Sequence, residues 1–125
     1  MSNQDHIVAV LGATPKPERF ANIAIRKLLA HGFSVIPVHP KIAVIEELPV
    51  SASLSEISQP VDTLTLYVGP ARLIPMIDEI IASKPGRVIF NPGTECKELQ
   101  DALDENNIPW QEYCTLILLD NNRFL

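Results

Sequence analysis

The sequence predicts an α/β protein, namely one domain with a three-layer, doubly wound, Rossmann-like parallel sheet of about five strands. Two observations favour this fold. Short apolar runs without polar alternation, typical of strands that are covered on both faces, alternate along the chain with segments of helical periodicity. The length of 125 residues fits a single core, and no repeat or linker divides it, so the domain is expected to span residues 1–125.

Five apolar runs are predicted as strands because each is rich in β-branched or aromatic residues and is closed by proline, glycine or an amide. In chain order they cover residues 7–11, 35–38, 64–68, 88–90 and 108–110. Because these runs lack polar alternation, we expect the strands to be buried on both faces of the sheet.

Three helices are predicted between these strands, at residues 17–31, 71–84 and 95–106. The first carries one apolar stripe and is followed by Gly32, which suits a left-handed helix stop. In the second, Pro75 is expected to restart the helix after one turn. Strand and helix in alternation imply right-handed crossovers, and therefore a parallel sheet with helices on both faces.

Composition limits the function. Fifteen acidic against ten basic residues give a formal charge of −5, which disfavours general binding to nucleic acid or anionic membranes. The two cysteines, Cys96 and Cys114, form no CxxC pair and lie near no ligand-spaced histidine, so no metal or dithiol motif is predicted. The polar start and the absence of an apolar run of roughly 20 residues lead us to expect a soluble cytoplasmic protein.

In a sheet of this kind, ligands bind beyond the carboxyl ends of the strands. The loop after the first strand contains Gly12, which permits a sharp turn, then Thr14, Lys16 and Arg19 at the start of a helix. A hydroxyl, two cations and free helix N–H groups together indicate a phosphate or pyrophosphate site. The full G-x-G-x-x-G pattern is absent, however, and a plain strand-to-helix turn with two solvated cations is an equal alternative.

The loop after the second strand distinguishes among nucleotides. A fold that holds NAD places a carboxylate here for the ribose hydroxyls, whereas this chain has His39, Pro40 and Lys41, and no acid before Glu46. A lysine at this point suits a ribose that carries a phosphate monoester, which favours coenzyme A (CoA) or NADP over NAD. The alternative is an exposed loop lysine.

The motifs Gly12-Ala13-Thr14, Lys16-Pro17 and Arg19, followed by residues 32–40, resemble the small stand-alone CoA-binding proteins, whose pattern reads roughly GAS-x-KP-x-R and then GY-x-V-x-PVNP. The resemblance covers nearly the whole chain. It implies a Rossmann-like domain similar to the CoA-binding domain of succinyl-CoA synthetase and of ADP-forming acyl-CoA synthetases.

The resemblance also implies a set of ligand residues. Gly12, Thr14 and Arg19 would hold phosphates, and Lys41 would face the 3′-phosphate. The full implied site is Gly12, Ala13, Thr14, Lys16, Arg19, His39, Pro40, Lys41, Tyr67, Val68, Asn91, Pro92, Gly93 and Thr94. The chain departs from the family pattern at Thr14 (usually Ser), at His39 (usually Asn) and in residues 44–47, which lack the usual glycine.

The leading hypothesis is therefore a module that binds CoA or an acyl-CoA and has no evident catalytic residue of its own. One alternative is an NADP-dependent oxidoreductase or another nucleotide-dependent enzyme, for which so short a chain leaves little room. A second alternative is a ligand-sensing or partner-dependent subunit, or a homo-oligomer.

Overall fold

Five parallel strands form the central sheet of the computed structural model, which describes residues 3–125. They are β1 (Ile7–Leu11), β2 (Ser34–Val38), β5 (Thr63–Leu66), β6 (Arg87–Phe90) and β7 (Trp110–Glu112), while β3 (Val44–Ile45) and β4 (Leu48–Pro49) form a separate antiparallel hairpin. The strand order is β2-β1-β5-β6-β7, and every pairing in this sheet is parallel. The predicted five-stranded parallel sheet is confirmed.

Helices cover both faces of the sheet. The helices are α1 (Phe20–Ala30), α2 (Pro70–Leu73), α3 (Ile77–Ser83), α4 (Lys97–Glu105) and α5 (Thr115–Asp120). Buried side chains of α1 and α5 belong to one apolar cluster, and those of α2, α3 and α4 belong to the other. A 3-10 turn at Ile74–Met76 separates α2 from α3, which confirms the predicted restart at Pro75.

The central strand β1 shows why the sequence runs lack polar alternation. Ala9 and Leu11 pack into the cluster under α2, α3 and α4, whereas Val8 and Val10 pack into the cluster under α1 and α5. Because successive strand residues point to opposite faces, both faces of a strand between two helical layers are buried, and β1 is apolar at every position for this reason.

The structure shifts the last predicted strand and adds a helix after it. The strand begins at Trp110, not Ile108, because the Ile108 amide closes α4 by donating to the Leu103 carbonyl (2.9 Å). Cys114 then caps α5, which has only six residues and is therefore too short for a periodicity to reveal. Likewise α1 begins at Phe20, since the residues from Pro17 onward still belong to the loop.

The β3–β4 hairpin turns through two glutamates in left-handed backbone conformation. Glu46 and Glu47 have φ values of +49° and +65°. A two-residue hairpin turn with both φ values positive favours Asn-Gly or Gly-Gly, because a Cβ atom is crowded there. The glycine that the family pattern leads one to expect in residues 44–47 falls in this turn, and its absence leaves local strain.

Replacing Glu47 with glycine should relieve that strain. We expect Glu47→Gly to raise the free energy of unfolding by about 0.5–1 kcal/mol, measured by urea denaturation. The matched control is Glu98→Gly in the first turn of α4, where the backbone is right-handed; this variant should lose about 1 kcal/mol. Equal losses in both variants would contradict the assignment of strain.

At the amino ends of the strands, an aromatic cluster anchors the C-terminal segment. His6 Nε2 lies 2.8 Å from Thr63 Oγ1, and the His6 ring packs edge-on against Phe33 and Phe124. Arg87 donates from Nε to Thr63 Oγ1 (2.8 Å) and also to the Phe124 carbonyl, and its guanidinium lies 4.5 Å from the centre of the Phe124 ring. Phe124 therefore docks back on the sheet, as part of the cluster around α1.

This cluster predicts a stability that depends on pH. Burial lowers the pKa of His6 more than the nearby Asp62 carboxylate raises it, and the Arg87 charge lowers it further. The unfolded chain, with a histidine pKa of about 6.5, then binds more protons than the folded chain just below that pH. Stability should therefore fall as pH drops from about 7 to 5.5. His6→Gln should flatten this slope in thermal unfolding, whereas His31→Gln should keep it; an unchanged slope in His6→Gln would refute the assignment.

Candidate functional site

A cavity of about 700 Å³ lies beyond the carboxyl ends of β1 and β5. The chain leaves β1 for α1 on one face and leaves β5 for α2 on the other, so the two connections diverge and open a crevice at the switch point of strand order. Its walls are formed by Leu11, Gly12, Ala13, Thr14, Lys16, Arg19, Phe20, Ala21, Val38, His39, Pro40, Ala52, Ser53, Tyr67, Val68, Gly69, Arg72, Met76, Glu79, Pro92, Gly93 and Thr94. The volume is that of a small-molecule or cofactor pocket.

Gly12 allows the β1–α1 loop to pass directly against the β5–α2 loop. Its φ is +90°, and a Cβ atom there would lie 2.8 Å from both the Tyr67 carbonyl oxygen and Val68 Cγ1. Both the backbone conformation and the close approach therefore require glycine.

The first turn of α1 presents unpaired N–H groups at the cavity. Arg19 is the N-cap residue in extended conformation, and no side chain caps the helix. Phe20 and Ala21, the first two helical residues, lie on the cavity wall. An eleven-residue helix with an uncapped N-terminus attracts an anion through these donors and through its dipole.

The side chains around this turn add polar and positive groups. The Thr14 hydroxyl accepts from the Lys16 amide (3.3 Å), which leaves its own proton available to a ligand. Lys16 and Arg19 are exposed, and neither side chain has a hydrogen bond or an ion pair within residues 3–125. These groups lie together on the cavity wall, and the phosphate site that the sequence predicts there stays a prediction.

Asn22 holds this loop from behind. Its buried amide donates to the Thr14 carbonyl (2.9 Å) and to Glu46 Oε2 (3.2 Å), and its Oδ1 accepts from Arg26 Nε (2.8 Å). The strained hairpin thus contacts the β1–α1 loop through one fully buried side chain. No motif identified Asn22, because a single amide inside an apolar helical stripe has no distinctive spacing.

His39 closes a tight turn after β2. Its Nδ1 accepts from the Lys41 amide at 3.0 Å, which is how an asparagine oxygen closes an Asx turn. The histidine therefore keeps the turn that the usual family asparagine would make. With Nδ1 accepting, Nε2 is the ring nitrogen left to donate, and His39 is one of the residues that line the cavity.

Two residues of the predicted site do not line the cavity. Lys41 is exposed beyond the His39 turn. Asn91 is buried, because its amide donates to Thr65 Oγ1 (2.7 Å) and to the Leu66 carbonyl, while its Oδ1 accepts from the Thr115 amide (2.8 Å). Asn91 holds the β6–α4 loop against β5 and α5 and so supports the cavity wall from below, and its predicted place in the ligand site stays a prediction.

Tyr67 lines the cavity, but its hydroxyl is buried. The hydroxyl is buried beside Thr65 and Thr115, yet no partner within residues 3–125 has hydrogen-bond geometry. Burial raises the pKa of the phenol, and the nearby Cys114 thiol raises it further. The group therefore stays neutral and does not serve as a base.

One wall of the cavity was not predicted. Ala52 and Ser53 reach it from the segment after the hairpin, while Arg72, Met76 and Glu79 reach it from α2, the 3-10 turn and α3. The last three residues recur at intervals of four and three, which is helical spacing on one face. This spacing is the sequence signal that identifies the three residues as one face beside the end of β5.

Within residues 3–125, no group of three or more His, Cys, Asp or Glu side chains could hold a metal ion. Both cysteines are free; Cys96 is buried and Cys114 is half-buried. No helix in the described part of the chain has the length and apolar character needed to cross a membrane.

Comparison with known proteins identifies the family. The model of the CoA binding domain matches residues 6–120, so the chain belongs to this family. No curated protein matches the sequence. Among solved structures, an uncharacterized protein is 39% identical, with a TM-score of 0.89 over 95% of this chain and 98% of the other. The cell-free ID.343 protein of Thermus thermophilus is 30% identical, with a TM-score of 0.88 over 99% and 100%.

A more distant structure shares the fold alone. The dinucleotide forming acetyl-coenzyme A synthetase 1 of Ca. Korarchaeum cryptofilum, in complex with phosphate and ADP, is 18% identical with a TM-score of 0.73. The match covers 83% of this chain and 25% of the synthetase. The fold of this small protein therefore recurs as about a quarter of a larger enzyme.

The contact at Gly12 predicts a large effect of one methyl group. Gly12→Ala combines a left-handed backbone with a clash against the Tyr67 carbonyl, and we expect it to lower the free energy of unfolding by about 3 kcal/mol in urea denaturation. Gly93→Ala, also at positive φ but with open space around it, should lose only about 1 kcal/mol. Similar losses in the two variants would contradict the packing argument.

Proposed function

We propose that this protein binds CoA or an acyl-CoA in the cavity at the switch point, with no catalytic chemistry of its own. The observation that carries the proposal is the uncapped N-terminus of α1, which Gly12 brings against the β5–α2 loop and which the unpaired Lys16 and Arg19 flank. In a member of the CoA binding domain family, this anion site suits the pyrophosphate of the cofactor.

The rest of the ligand would follow from that anchor. The ribose with its 3′-phosphate would lie at the end of β2, beside His39 and Pro40, with the phosphate toward the exposed Lys41 at the rim. Tyr67 and Val68, together with residues 92–94, would line the remaining cavity. Val68 and Pro92 supply apolar surface there, which suits the apolar part of an extended, flexible arm.

The candidate acid–base groups of the site are already engaged, which supports a binding role. His39 Nδ1 accepts from the Lys41 amide, and Glu79 Oε2 accepts from the Ser55 hydroxyl (3.1 Å). The Tyr67 hydroxyl and Cys96 are buried away from the cavity surface. Ligand sensing, self-association and a cytoplasmic location stay predictions from the sequence.

Calorimetric titration tests the proposal. CoA and acetyl-CoA should bind, dephospho-CoA should bind more weakly, and NADP and NAD should bind weakest. Arg19→Ala and Lys16→Ala should each weaken CoA binding about tenfold, because each removes a charge-assisted contact to phosphate. The loss should shrink at high salt, since the site is exposed.

The matched control is Lys97→Ala, which removes an exposed lysine paired with Asp101 on α4, away from the cavity. It should leave CoA affinity unchanged. Binding of NADP but not of CoA would overturn the proposal in favour of a redox enzyme, and unchanged affinity in Arg19→Ala and Lys16→Ala would remove the phosphate site.

A further inference from the structure

Phe20 is an exposed aromatic residue on the cavity wall. Its side chain is 70% exposed, although it is the first residue of α1 and could have been directed into the core. Seven large hydrophobic residues are exposed in the described part of the chain, namely Phe20, Leu29, Val44, Ile74, Tyr113, Ile117 and Leu125. Of these seven, only Phe20 lines the cavity.

The direction of the side chain places the ring near the phosphate site. Side chains in a helix lean toward its N-terminus, so the ring of the first helical residue lies over the loop that precedes the helix. That loop carries Lys16 and Arg19, and both also line the cavity. An aromatic face and two cations therefore lie together at the mouth of the cavity.

We infer that Phe20 binds the nucleotide base of the ligand, by stacking its ring on the adenine of bound CoA. The inference rests on the proposed function. The ribose expected at the end of β2 carries both the 3′-phosphate and the base, so the base lies on the side of the cavity where β2 and α1 meet. Bases stack readily on exposed aromatic rings.

The opposite wall is the better place for the pantetheine arm. Met76, which is half-buried, and Val68 supply apolar surface there, and both belong to the β5–α2–α3 side of the cavity. An arm that started at the α1 N-terminus would reach this side by crossing the end of β5. Phe20 would then contact the base and not the arm.

Three probes separate these contacts: CoA, adenosine 3′,5′-bisphosphate and 4′-phosphopantetheine. We expect Phe20→Ala to weaken CoA and the bisphosphate about tenfold each, and to leave phosphopantetheine unchanged. Phe20→Trp should restore affinity, and adenine should quench the fluorescence of the added indole. Because the ring is exposed, the melting temperature of Phe20→Ala should stay within about 2 °C of the wild-type value.

Ile117→Ala, which removes a half-exposed side chain from α5 outside the cavity, is the control and should leave all three affinities unchanged. A loss confined to phosphopantetheine would assign the ring to the arm and overturn the inference, as would unchanged binding of CoA by Phe20→Ala. If the wild-type protein binds no CoA, the proposed function fails as well; if it binds CoA normally and Phe20→Ala does too, only the role of Phe20 fails.

Discussion

At residue 12 the β1–α1 loop touches the backbone of the β5–α2 loop, with no room for a side chain between them. Two further hydrogen bonds fix the same place: the Ala13 amide donates to the Val38 carbonyl (3.3 Å), and the Tyr67 amide donates to the Leu11 carbonyl (2.9 Å). The ends of β2, β1 and β5 are thereby joined through one short segment. Because α1 starts from this segment, the position of its free N–H groups is determined before any ligand arrives, which reduces the entropic cost of binding.

Two buried asparagines, Asn22 and Asn91, fix the positions of two loops that form the cavity. Asn22 holds the β1–α1 loop from the side of α1, and Asn91 holds the β6–α4 loop from beneath the sheet edge. In each case the amide satisfies backbone groups that would otherwise be buried without partners, at a cost of about 1–3 kcal/mol apiece. Both asparagines lie behind the cavity and are absent from its wall, so they position the loops that form the wall without lining it themselves.

The regular part of the fold follows from local pattern, and the irregular part does not. All five strands of the sheet fall within about two residues of the predicted runs, since burial between two helical layers favours short, mainly apolar sequence. The β3–β4 hairpin could not be predicted from the sequence, because its turn contains Glu46 and Glu47 at positions where Asn or Gly is the usual residue. The six-residue α5 is shorter than two helical turns and leaves no periodic signal. The positions of the strand ends in the sequence predict which loops form the cavity. Only the three-dimensional structure shows that Asn91 is buried behind the wall while residues 92–94 line it.

The exposure of Phe20 is another feature that the sequence pattern does not predict. Phe20 stands four residues before Ala24 and eight before Leu28, so periodicity would assign it to the buried stripe of α1, yet it stays exposed.

The cations near Phe20 are equally difficult to recognise from the sequence, because the chain as a whole has a net charge of −5. At distances beyond about 10 Å, salt screens individual charges and the acidic surface presents no attraction to a long polyanion. At contact distance, a small polyanion meets Lys16, Arg19 and Arg72, none of which is paired within residues 3–125. The proposed nucleotide ligand is therefore compatible with an acidic protein, because these three unpaired cations line one cavity, whereas a long polyanion would also meet the acidic surface around it.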